Sequence, residues 1–116
     1  MNLTELFDTA TTIVADGKGI LAADESTPTI KKRFDSIHVE SNEANRQAYR
    51  NMLFTTAGVG DFISGVILFD ETIRQQATDN RSMVEVIKDA GMVPGIKVDK
   101  GAKPLANRPN ETVTEG

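Results

Sequence analysis

Two side chains carry the most chemical promise, Asp24 at the end of the apolar run Gly19 to Ala23 and Lys97 inside GIKVD (95–99). Dehydrating a carboxylate is expensive, so a strand that runs into Asp24, Glu25 and Ser26 delivers them to a crevice and not to a core. There Asp24 can act as a general acid or base, or orient a substrate hydroxyl. Taken by itself, a helix cap or a surface carboxylate is its commoner use. Period-two alternation puts Gly95, Lys97 and Asp99 on one strand face and Ile96 and Val98 on the other. With Ile96 and Val98 packed under helices, Lys97 points inward. A lowered pKa there makes its amine a nucleophile for carbonyl carbon, whereas a lysine kept charged holds a phosphate or oxyanion. On an edge strand its ammonium reaches water instead. A carboxylate beside an ammonium in one crevice stabilises both charges and supports proton transfer, which strengthens the case for each.

A second group gathers around one helix start: Ser26, Thr27 and Thr29, followed by Lys31, Lys32 and Arg33. Free N–H groups at a helix start bind phosphate, and arginine adds a two-pronged fork. The lysines are expected on a solvated face, while Arg33 divides evenly between that role and phosphate contact. Phe54, Phe62, Phe69 and Met52 are expected in the core, and His38 at the surface or in packing. Gly17-Lys18-Gly19 and Gly58-Val59-Gly60 read as turns, because neither has the spacing of a phosphate-binding loop.

The elements that position these groups alternate. A helix is expected over Thr4 to Val14, with Leu6, Ala10, Ile13 and Val14 on its inner face and Thr4 as cap. Strands are expected at Ile20 to Asp24, Gly65 to Phe69 and Gly95 to Asp99. Helices are expected at Thr29 to Asp35 (Thr27 as cap), Ser41 to Thr55 (buried through Ala44, Ala48, Met52 and Leu53) and Ser82 to Ala90 (Met83, Val86 and Ile87 inward). The tail, Asn107 to Gly116, is polar and rich in turn formers. Apolar strands alternating with amphipathic helices indicate an α/β fold with a parallel sheet. Each strand ends in charge: Asp24, then Asp70 and Glu71, then Lys97 and Asp99. Ligand crevices of α/β sheets and barrels lie at that end. Three parallel strands leave two open edges, and a (β/α)8 barrel takes about 250 residues. Residues 1–116 therefore read as one incomplete TIM barrel domain, a fragment cut after its third strand.

Composition narrows the partners. The chain has 116 residues, 39% of them hydrophobic and 26% charged, with a net charge of −4 and no basic run, which argues against nucleic acid or an anionic membrane as partner. It has no cysteine and one histidine, His38, so neither a disulfide framework nor a multi-histidine metal site is expected. Phe62 to Phe69 is too short for a bilayer, which takes about 20 residues. MNLTELFDTA lacks the basic and apolar segments of a signal peptide, so the cytoplasm is the expected compartment.

GKGILAADEST (17–27), EANRQAYRNMLFTT (43–56), GVILFDET (65–72), GIKVDKG (95–101) and NETVTEG (110–116) together resemble class I fructose-1,6-bisphosphate aldolase, in order from about Ile13 to Gly116. The resemblance implies a (β/α)8 barrel lyase of glycolysis and gluconeogenesis. It works through a lysine Schiff base without metal or organic cofactor and cleaves fructose 1,6-bisphosphate reversibly to dihydroxyacetone phosphate and glyceraldehyde 3-phosphate. By position, Asp24 matches an aspartate that binds substrate hydroxyls and assists proton transfer. Lys97 matches a lysine that stays charged, and Ser26, Thr29 and Arg33 fall in a phosphate-contacting region. The Schiff-base lysine lies on a later strand in that family, so these residues alone are expected to be inactive; the resemblance also implies a homotetrameric full-length parent. Pro28 stands where many members have glycine. A freestanding α/β module that holds a sugar phosphate without catalysis is the competing expectation.

Overall fold

In the computed structural model, which describes residues 2–116, Asn2 and not Thr4 starts the first helix, α1 (Leu3–Ile13), its side chain accepting from the N–H groups of Thr4 and Glu5. The expected inner face of α1 stays open. Leu6 and Val14 are exposed, as are Leu3 and Phe7, and only Ile13 tucks against the sheet. Its Cγ2 lies 3.5 Å from where a Cβ on Gly65 would sit.

The chain continues through β1 (Gly19–Ala23), α2 (Thr27–Asp35), α3 (Glu43–Thr55), α4 (Val59–Phe62), β2 (Ile63–Leu68), α5 (Asp70–Ile73), α6 (Met83–Asp89) and β3 (Val93–Ile96). A hairpin, β4 (Ala102–Leu105) and β5 (Arg108–Thr114), follows. α2 begins earlier than expected, with Ser26 in the cap position and Pro28 in the first turn. Asn42 caps α3, and Ser82 with Glu85 forms a reciprocal capping box at α6. The three main strands form one sheet in the order β1-β2-β3, parallel throughout. That is the α/β arrangement the alternation of elements predicts.

Register fixes the faces. Ala23 pairs with Leu68 and Leu68 with Ile96, while Ala22 pairs with Ile67 and Ile67 with Gly95. Paired residues on parallel neighbours share a face. Ala23, Val66 and Leu68 turn toward the helices and build the core with Phe54, Met83 and Ile87. The other face, with Ile20, Gly65, Ala22, Ile67 and Gly95, is met only by the end of α1, whose Ile13 lies against Gly65 near the amino end of the sheet.

α3 is rotated from the expected face. Ala44, Ala48 and Met52 point outward, whereas Arg50 and Phe54 are buried and Arg46 is half-buried. Phe54 brings more apolar area inward than the alanines could, and both arginines find acids on the inner side. Phe62 is 71% and Met52 55% exposed, so neither belongs to the core. Ile96 and Val98, expected under a helical layer, are 39% and 76% exposed because a hairpin follows β3 where a helix would cover them.

Candidate functional site at the carboxyl end of the parallel sheet

Asp24 is the first residue past β1 and Lys97 the first past β3. The Lys97 N–H still donates to the Leu68 carbonyl at 2.9 Å, so pairing continues beyond the strand end. Continued by one residue, the register aligns Asp24, Phe69 and Lys97 across the sheet on the face turned away from the core. Two strand spacings put the backbones of Asp24 and Lys97 about 10 Å apart, a gap that suits a small polar ligand. Both side chains are half-buried.

Lys97 Nζ donates to Asp99 Oδ2 at 2.5 Å, and Asp99 Oδ1 accepts the Gly101 N–H at 2.9 Å. The Lys97 ammonium is held above the ordinary lysine range, first by this bond to Asp99 and then by the charges of Asp99 and Asp24, against the opposing effect of burial. The Asp99 carboxyl sits below its usual range, first because of the same bond and then through the Gly101 N–H. Attack on a carbonyl carbon needs a free amine, which this raised pKa disfavours.

Ser26 Oγ and Thr29 Oγ1 lie 3.1 Å apart at the start of α2. Arg33, one turn on, shares their helix side, next to the buried stripe of Ile30 and Phe34. Its guanidinium bonds to the Glu25 carboxylate yet remains 58% exposed. Lys31 pairs with Asp35 along the solvated side, the role expected of the lysines.

The acids after β2 do not line the crevice as their position implies. Glu71 is clamped by Arg46, Nε to Oε2 at 2.8 Å and Nη2 to Oε1 at 2.6 Å, and its carboxyl is held below the usual range chiefly by that bond. Asp70 pairs with Arg74 in solvent. Arg50, which the sequence reading did not single out, is fully buried and reaches Glu25. The overlooked signal is the four-residue spacing of Arg46, Arg50 and Phe54 on one helix side. A hollow of about 410 Å³ bordered by Phe54, Gly58, Arg81 and Asp89 lies at the amino end of β2, away from all of these groups. Among the described residues, no three or more His, Cys, Asp or Glu side chains gather as metal ligands, and no helix is long and apolar enough to cross a membrane.

A family model described as fructose-bisphosphate aldolase class-I matches residues 5–116. Fructose-bisphosphate aldolase 1 of Toxoplasma gondii is 56% identical over 112 residues, covering 97% of this chain and 31% of that protein. The cytosolic fructose-bisphosphate aldolase 5 of Arabidopsis thaliana is likewise 56% identical, with the same coverage of each chain. Among solved structures, the Plasmodium falciparum fructose-bisphosphate aldolase in complex with TRAP and a small molecule inhibitor superposes with a TM-score of 0.90 at 50% identity, covering 97% of this chain and 33% of that one. The fold is thus the N-terminal part of a TIM barrel, and the chain spans about a third of the length of the curated relatives it matches.

Proposed function

The chain belongs to the class I fructose-bisphosphate aldolase family, and we propose that residues 1–116 supply the first three strands of a barrel that reversibly cleaves fructose 1,6-bisphosphate to dihydroxyacetone phosphate and glyceraldehyde 3-phosphate. The nucleophile is a lysine on a later strand. Its amine and the substrate ketone lose water to form an iminium. The electrons of the breaking C–C bond flow into that iminium to leave an enamine, while the proton of the neighbouring hydroxyl passes to a base. Asp24 binds substrate hydroxyls and assists that proton transfer. Lys97 stays protonated and offsets substrate negative charge, and Ser26, Thr29 and Arg33 hold a phosphate.

The observation that carries this reading is the placement of Asp24 and Lys97 on one face at the carboxyl end, with Lys97 held charged by Asp99. The complete enzyme works without metal or organic cofactor as a cytoplasmic homotetramer acting on sugar phosphates, with neither nucleic acid nor membrane as partner. The cytosolic Arabidopsis relative and the chain's lack of a basic run support that setting. The test is cleavage of fructose 1,6-bisphosphate in the presence of a chelator, by the complete polypeptide and by residues 1–116 alone. Cleavage by the first and none by the second is expected. A complete polypeptide that binds the bisphosphate and leaves it intact would overturn the reading in favour of a binding module.

A further inference from the structure

Arg50 heads the fully buried side chains among the described residues and has no part in the chemistry above. Its Nη2 donates to the Glu25 carbonyl at 2.8 Å and lies 3.5 Å from Glu25 Oε2. Its Nε and Nη1 have no hydrogen-bond partner among the described residues, and neither has Glu25 Oε2. A buried guanidinium with unmet donors is a poor stabiliser, and an apolar side chain of similar volume often serves a core as well or better. Stability alone therefore gives no reason for an arginine here.

Its connections give one. Glu25 follows Asp24 directly, and its carboxylate also holds Arg33. One buried cation on α3 thus secures the segment that presents Asp24 at one end and anchors the Arg33 fork at the other. Ala23, fully buried in the sheet, fixes the chain on the upstream side of Asp24. Arg50 and Glu25 fix it downstream. We propose that Arg50 is a positioning residue of the sugar-phosphate site, acting through Glu25 to set both the carboxylate of Asp24 and the guanidinium of Arg33. The inference rests on the aldolase reading above.

The test measures kcat and KM for fructose 1,6-bisphosphate cleavage by the complete polypeptide, alongside thermal melts, for Arg50→Met, Glu25→Gln and the two combined. Misplacing reacting groups by on the order of 1 Å costs on the order of 100-fold, so kcat/KM per folded molecule should fall about tenfold or more in Arg50→Met. The double variant should lose little beyond that, because Arg50→Met already frees the Glu25 backbone and carboxylate through which Glu25 acts. Arg50→Lys, which keeps a donor for the Glu25 carbonyl, should recover part of the loss, and it carries the comparison if Arg50→Met does not fold. An Arg50→Met protein whose entire loss matches its unfolded fraction would overturn the inference, as would losses that multiply in the double variant. Wild-type kinetics in a folded Arg50→Lys, with Arg50→Met unfolded, would overturn it too. A wild type without cleavage removes the aldolase reading and this inference with it, whereas an active wild type beside an unaffected Arg50→Met removes the inference alone.

Discussion

Asp24 and Lys97 stand on the same face of the parallel sheet, each one residue past the end of its strand, with β2 between them. The charge of Asp24 reaches far enough to help hold Lys97 protonated. An acid and a cation thus face one opening from two strands that are not adjacent.

The identity of the charge at position 97 should matter more than its shape. In the complete polypeptide, Lys97→Met is expected to lower kcat/KM for fructose 1,6-bisphosphate about 100-fold, the scale of losing one fixed charge at a reacting centre. Lys97→Arg should retain more activity than Lys97→Met. Steady-state kinetics on the two variants decide this, and equal losses would mean that charge is not what Lys97 contributes.

Arg46 and Glu71 tie α3 to α5 through two hydrogen bonds, with side chains only 12% and 24% exposed. Glu71→Gln should cost about 2 kcal/mol in urea unfolding at neutral pH. The Glu71 carboxyl titrates below the ordinary 4.5 in the folded chain. Its contribution is therefore fully present above the unfolded value and lost as pH falls through the folded one. Between neutral pH and the acid limb, the gap in stability between wild type and Glu71→Gln should close. A gap that stays constant down to the acid limb would show that the ion pair contributes nothing.

Gly60 allows α4 to approach the end of α6. A Cβ there would sit 1.8 Å from the Ala90 carbonyl oxygen, a backbone atom that cannot swing away. Gly60→Ala is expected to destabilise the fold by about 3 kcal/mol through forced backbone movement. Gly19→Ala, at a glycine of ordinary φ with open space around its Cα, is the control that should cost far less. Thermal melts that lose equal ground for both would remove the clash as the cause.

Much of the fold could be read from runs and alternation. Gly19 to Ala23 and Gly65 to Leu68 are apolar because both strands bury one face under helices, and the acids that follow mark their ends. The strand expected at Gly95 to Asp99 runs instead over Val93–Ile96, so Lys97 and Asp99 lie past its end, although the two side chains the alternation paired do bond. The inner face of α3 was misread because arginine is usually exposed, whereas Arg46 and Arg50 go inward to meet Glu71 and Glu25, acids 25 residues away in sequence in each case. The β4–β5 hairpin escaped notice because Pro104 and Pro109 argue against strands, and its turn rests on Asn107 at φ 62 rather than on a glycine. Such pairings depend on partners distant in sequence, so they have no local pattern to betray them.

Residues 1–116 in isolation leave β1 and β3 as open edges and expose Ile20, Ile96 and Val98 beside them. Unpaired edges flanked by apolar side chains recruit further chains. Sedimentation velocity on the 116-residue chain should show concentration-dependent association, and replacing Ile96 and Val98 by lysine should weaken it. A chain that stays monomeric at every concentration would argue that these edges are protected.

The most direct measurement is the structure of the complete polypeptide with dihydroxyacetone phosphate or fructose 1,6-bisphosphate bound. The Asp24 carboxylate and the Lys97 ammonium should both lie within hydrogen-bonding distance of the same sugar phosphate, with Arg33 beside a phosphate group. A ligand seated elsewhere, with either Asp24 or Lys97 out of its reach, would contradict the shared pocket on which the whole account depends.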